Sequence, residues 1–283
     1  MIELEILGPL VVRADGEQVR LGPALRTLLL GLLCARGDLV PAPRLATLVL
    51  ETGAAQGSPA TLRSHVSHLR RALGEVAGAD PDAPPLVTDQ LGGSAAYALR
   101  VDPGRVDATR FERLTTLGSR ELHLGRFENA AETLREGLSL WRGQPLADVA
   151  DRAFARPEIR RLESSYRAAA IARVQADAEC GLHRAVIGEL EAMADRWPGD
   201  ESVLSLLAVC LYRSGRAGEA AQVCRDAIAA AHDQGLDSRR LADLQRDVLR
   251  GSLERPGQLT PRSAGLAHPH TPLCSQESGT SSS

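Results

Sequence analysis

The stretch Thr61–Gly74, TLRSHVSHLRRALG, decides how the rest of the chain is read. At about 100° per residue, Leu62, Val66, Leu69 and Leu73 fall within about 60° of one another and make one apolar stripe. Ser64 and Arg71 lie opposite that stripe, with Ser67 and His68 beside them. Arg63 and Arg70 sit on one flank, Thr61 and His65 on the other. The segment holds three arginines, two histidines and no acid, in a chain of net charge −3. Two readings compete: a solvated helix face, the common fate of charge clusters, or a face made to meet something negative. A helix entering a major groove needs small residues for close approach and donors for base edges and phosphates. Thr61, Arg63, Ser64 and Ser67 are then the candidate base readers, with His68 beside them, and Arg70 and Arg71 suit phosphates.

The surroundings favour the second reading. Ile2, Leu4 and Ile6 alternate with acids, and the stretches Leu10–Arg13 and Gln18–Leu21 flank Asp15-Gly16, a hairpin signal. Leu25, Leu28, Leu29, Leu32 and Leu33 recur at helical spacing from Pro23 to Ala35, and a second short helix is predicted over Pro43–Leu50. Glu51–Pro59 reads as loop, and so does the Pro- and Asp-rich GADPDAPP that follows the basic helix. LVTDQLGGSAAYALRV then reads as strand, Gly-Gly turn, strand. Small sheet, three helices and a β-hairpin is the order of a winged helix-turn-helix with an extra N-terminal sheet.

From Val106 the pattern is helical throughout. Gly125-Arg126-Phe127-Glu128-Asn129-Ala130-Ala131 recurs as Gly215-Arg216-Ala217-Gly218-Glu219-Ala220-Ala221, with a weaker copy from Gly181-Leu182-His183, 34 residues before Gly215. That spacing is the tetratricopeptide period, in which each helix pair needs a stacked neighbour to bury its apolar face. Residues 255–283 are rich in Pro, Ser, Thr and Gly and are expected to be a disordered tail. The expected division is 1–101 for the winged helix, 102–254 for the helical domain and 255–283 for the tail.

Composition narrows the chemistry. With 283 residues, 43% hydrophobic and 24% charged, the chain reads as globular and cytoplasmic, without a basic n-region or a membrane-length apolar run. All 33 basic residues are arginine, which excludes a Walker A lysine and a Schiff-base lysine in this chain. Five scattered cysteines without a C-x-x-C pair read as buried thiols. His65-x-x-His68 lacks an acid or cysteine to complete a metal site, no cofactor motif is present, and no nucleophile–base pair suggests an enzyme. Trp141 and Trp197 fall at helix ends and read as packing anchors, and three Phe, three Tyr and two Trp offer little for stacking single-stranded bases.

The basic helix resembles the third helix of the Streptomyces antibiotic regulatory proteins. The resemblance extends through Leu7-Gly8-Pro9-Leu10, the Leu28–Leu33 helix and Val106-Asp107-Ala108-Thr109-Arg110-Phe111. It continues through Leu140-Trp141-Arg142-Gly143-Gln144-Pro145-Leu146 and Leu211-Tyr212-Arg213-Ser214-Gly215-Arg216, so that it covers roughly residues 1–254. It implies an OmpR-like winged helix followed by an all-helical, tetratricopeptide-like bacterial transcriptional activation domain. It also implies an activator of pathway-specific biosynthetic genes that binds direct repeats in double-stranded DNA, self-associates or binds in tandem there, and engages RNA polymerase. Departures concern the clamp on DNA. Ala24 stands where the family usually has a basic residue, leaving Arg26 as the nearby cation. The wing, Gly92-Gly93-Ser94-Ala95-Ala96-Tyr97, reads as longer than the family's and uncharged, with Ser94 as its polar contact. An alternative therefore stays open: a helical scaffold for a protein or effector, with weak DNA binding.

Overall fold

A computed structural model of the chain describes residues 2–50, 59–74 and 85–253. The predicted loops after the second and third helices fall mainly, and the predicted tail wholly, outside the described residues.

Alternation at the N-terminus yields an antiparallel sheet of β1 (Ile2–Glu5), β2 (Val11–Ala14) and β3 (Glu17–Gln18) in that order. Asp15 and Gly16 both take positive φ, 50° and 88°, which a two-residue hairpin turn requires. This tight turn pairs Ala14 with Glu17, so the third strand starts and ends earlier than the sequence suggests. The leucine-rich helix α1 spans Pro23–Cys34 and α2 spans Ala42–Leu50. Between them lies β4 (Val40–Pro41), too short to show alternation in sequence. The basic helix, α3, spans Pro59–Gly74, and β5 (Leu86–Leu91) and β6 (Ser94–Leu99) form the hairpin. Sheet order β4–β6–β5 pairs Val40 with Tyr97, fixing the hairpin beside the helices. α1 packs on α2 and α3, and α2 packs on α3.

The helical half runs α4 (Asp107–His123), α5 (Phe127–Ser139), α6 (Arg156–Glu179), α7 (His183–Arg196), α8 (Glu201–Arg213), α9 (Ala217–Asp233) and α10 (Arg239–Arg250). Consecutive helices pack on one another along the array. The repeated glycines are its turns. Gly125, Gly181 and Gly215 have φ of 73°, 86° and 83°, and each closes α4, α6 or α8 before the next helix starts. In all three, the residue after the glycine donates its N–H five residues back: Arg126 to Glu121, Leu182 to Asp177, Arg216 to Leu211. This closure satisfies carbonyls that a helix end leaves open. Gly118 and Gly137 let α4 and α5 approach closely. A Cβ on Gly118 would sit 2.6 Å from Cγ of Leu134.

One apolar core runs through both halves, from Leu4, Leu28 and Leu69 to Phe111, Leu134 and Leu162. Two polar junctions flank it. In the first, Asp107 accepts from the backbone N–H groups of Ile6 (2.7 Å), Leu7 (3.0 Å) and Ala108 (2.7 Å). Leu7 and Ile6 in turn accept from the N–H groups of Arg142 (2.7 Å) and Leu146 (2.9 Å), and Asp148 accepts from that of Leu10 (2.5 Å). Arg142 also pairs with Glu5 at 3.2 Å and donates to the Pro9 carbonyl. Burial pushes the Asp107 carboxyl above its ordinary value, while the three N–H donors and Arg142 pull it back. In the second junction, Arg36 makes a bidentate pair with Glu112 (3.0 and 2.8 Å), and Arg161 bridges Glu112 and Glu158 (2.5 and 2.7 Å).

Candidate nucleic-acid interface

The apolar stripe of α3 is buried: Leu62, Val66, Leu69 and Leu73 are each 3% exposed or less. Burying that stripe against α1 and α2 turns Arg63, Ser64, Ser67, His68 and Arg71 to solvent, with Thr61 half-buried at the helix start. The face holds donors and small side chains and no carboxylate. His65 stands on the flank of the helix, as the angular count has it. It is half-buried, and its Nε2 is enclosed without a hydrogen-bond partner among the described residues.

Arg70 is turned toward the hairpin. Its Nε donates to the Leu86 carbonyl at 3.1 Å, and its guanidinium also bonds the Thr88 hydroxyl. It therefore fastens α3 to β5 and sets the angle between helix and wing. Arg26, on the first turns of α1, pairs with Asp148 of the segment following α5. Its charge belongs to the junction between the two halves.

The hairpin corrects one expectation. Strand pairing continues to Leu91–Ser94, so the turn is only Gly92-Gly93, both at positive φ (60° and 77°). The residues that seemed to lengthen the loop extend the strand instead. The turn itself carries no charge; Asp89 is exposed further back on β5, opposite Ala96, while Leu91 and Ser94 pair beside the turn. An acid on the strand and a leucine beside the turn do not hold a phosphate, which leaves Ser94 and the turn's own N–H groups for close contact.

Arg44 stands in no motif that marks it in the sequence. It lies exposed in the first turn of α2 and makes no ion pair among the described residues. Because α2 and α3 are the two helices of the helix-turn-helix, a cation on the first can meet the backbone while the second enters the groove. The available signal was the basic residue just after Pro43.

These features define the class: a winged helix-turn-helix followed by a tetratricopeptide-like helical array. Residues 106–249 match the bacterial transcriptional activator domain. The chain is 30% identical over 273 residues to the regulatory protein DnrI of Streptomyces peucetius, covering 94% of this chain and 99% of that one. It is 32% identical over 229 residues to the transcriptional regulator RedD of Streptomyces coelicolor, covering 79% and 63%. Among solved structures it is similar to Mycobacterium tuberculosis EmbR in complex with a low-affinity phosphopeptide. That likeness has a TM-score of 0.78 and 32% identity, and covers 88% of this chain and 65% of the other. The chain belongs to the Streptomyces antibiotic regulatory protein family of transcriptional regulators. No helix among the described residues is long and apolar enough to cross a membrane.

Proposed function

We propose that the chain is a sequence-specific, double-stranded-DNA-binding activator of a secondary-metabolite gene cluster. Residues 1–101 bind direct repeats at the promoter, and residues 102–254 support tandem binding on DNA and contact RNA polymerase. The observation that carries the reading is α3, whose buried stripe commits Arg63, Ser64, Ser67, His68 and Arg71 to one exposed, acid-free face. Thr61, Arg63, Ser64 and Ser67 read bases, Arg71 and Arg44 meet phosphates, Arg70 holds the wing in register, and Ser94 meets the backbone at its tip. Arg26 contributes through its pairing with Asp148.

Fluorescence-anisotropy titration of the full chain on fragments from upstream of neighbouring biosynthetic genes tests this. Arg63→Ala is expected to cost about 1–3 kcal/mol of specific binding and to relax sequence preference. Arg71→Ala is expected to weaken all sequences alike and reduce the salt slope by about one. Wild-type binding by both variants at fixed salt refutes the assignment. A flat salt response in the wild type would favour the helical-scaffold alternative.

A further inference from the structure

The chain is poor in aromatic residues, with three Phe, three Tyr and two Trp, yet four of them form one row. Phe111 meets Trp141 at 5.4 Å, Trp141 meets Tyr166 at 4.7 Å, and Tyr166 meets Trp197 at 6.4 Å, all edge to face. Phe111 is wholly buried. The other three line a cavity of about 660 Å³ between the loop after α5, the body of α6 and the end of α7. That volume lies within the range of roughly 300–1,000 Å³ that small-molecule sites occupy.

The sequence alone suggests that Trp141 and Trp197 are separate packing anchors. A tryptophan buried as an anchor ordinarily finds a partner for its N–H. Trp141 is half-buried, and its Nε1 is enclosed with no hydrogen-bond partner among the described residues. Trp197 is half-buried on the same wall. The Arg196 guanidinium lies 5.2 Å from the centroid of Tyr166 and 5.3 Å from that of Trp197. A cation of the chain itself thus already occupies those ring faces, so the cavity is not a cage for a cationic ligand. Arg196 is exposed and pairs with no carboxylate among the described residues. A stacked guanidinium keeps its N–H edge free for a planar anion. Gln144, also on the wall, has no hydrogen-bond partner among the described residues, and neither does Glu163, the lone carboxylate of the lining. The walls thus offer flat apolar surface, a fixed cation, spare donors and one acceptor.

We propose that this cavity binds a small planar aromatic molecule that carries a carboxylate and a hydroxyl. The ring lies against Trp141, the carboxylate meets Arg196 where it is stacked on Tyr166 and Trp197, and the hydroxyl donates to Glu163. This site is separate from the DNA interface, and its test contains no DNA.

Because both tryptophans of the chain line the cavity, its indole emission responds to a ligand bound there. The probe is 3-hydroxy-2-naphthoate, whose absorption overlaps that emission, titrated into the full chain with calorimetry in parallel. Saturable quenching at one site per chain is expected. Arg196→Gln, a change at an exposed side chain, should weaken it roughly tenfold or more, the cost of losing a charge-assisted hydrogen bond. Methyl 3-hydroxy-2-naphthoate, which keeps the ring and loses the charge, should weaken similarly on the unaltered chain. Octanoate, which keeps the charge and lacks the ring, should not compete. The proposal is overturned by absence of saturable binding, by wild-type affinity in Arg196→Gln, by equal affinity of the ester, or by effective competition from octanoate.

Discussion

Replacing Asp107 with alanine removes the acceptor that holds the chain's N-terminal segment onto α4. Ile6 is 3% exposed and Leu7 is wholly buried, so water does not readily replace the lost carboxylate at their N–H groups. Each orphaned buried donor costs about 1–3 kcal/mol, which sets the loss at roughly 2–6 kcal/mol. Against a total stability of about 5–15 kcal/mol for an ordinary domain, that is a large fraction. Asp107→Asn keeps one oxygen, which can still serve Ile6 and Ala108, and turns an amide toward Leu7. Its cost should be about half that of alanine. Urea unfolding followed by tryptophan emission gives both values, and the asparagine variant supplies the measurement should alanine prevent folding. Hydrogen exchange on a peptide spanning residues 2–12 supplies the local readout, because the Ile6 and Leu7 amides should lose protection in either variant. An alanine variant within about 0.5 kcal/mol of wild type, with unchanged exchange in that peptide, refutes the reasoning.

Gly118→Ala places a Cβ 2.6 Å from Cγ and 3.0 Å from Cδ2 of Leu134, a fully buried side chain with little room to yield. The variant should lose about 1–3 kcal/mol in urea unfolding despite alanine's better helix propensity. Burial raises the Glu112 carboxyl, but Arg36 and Arg161 outweigh burial and hold it below its ordinary value of 4.5. The stabilisation it provides is therefore present above about pH 4.5 and lost as pH falls through the folded value. Measured by urea unfolding across pH, the stability gap between wild type and Glu112→Gln should close on acidification; a gap independent of pH contradicts the pairing. Burial pushes the Cys34 thiol up to about 12 and that of Cys210 up to about 11. Peptide mapping after brief iodoacetamide treatment at pH 8 should therefore find both unmodified in the folded chain and modified in urea.

Much of the fold is legible where a pattern is local. The stripe of α3, the helix α1 and the two hairpin turns follow from periodicity and from glycine or aspartate at positive φ, and each emerged within a few residues of its expected bounds. The glycine-led repeats were visible because each helix pair closes with the same backbone geometry. What escaped depends on pairing at long range. Val40–Pro41 becomes a strand only because Tyr97 and Ala96 lie beside it. The bond from Arg70 to β5 is one such pairing, because an angular count places the Cα of Arg70 and says nothing of a strand 16 residues further on. Arg26 looked free because Asp148 is 122 residues away. The two tryptophans, 56 positions apart in sequence, share a wall only once α6 and α7 pack.

The same long-range pairings bear on how the two halves move. Separate domains in one chain ordinarily shift against each other unless the surface between them is large and apolar. Here the core is continuous from Leu4 to Leu162, and its polar edges are closed on two sides. On one side, backbone bonds tie Ile6, Leu7 and Leu10 to Asp107, Arg142, Leu146 and Asp148. On the other, Arg36, at the end of α1, is held by Glu112 of α4. A hinge opening at Val101–Val106 would have to expose that core and strand the buried N–H groups of Ile6 and Leu7 together. Several kcal/mol oppose it from the donors alone. The runs Leu7–Leu10, Val106–Phe111 and Leu140–Leu146, scattered in sequence, are thus the parts of one fastening. Its consequence is that the direction of α3 is fixed relative to the helical array, so a partner docked on the array is placed by the same geometry that places α3.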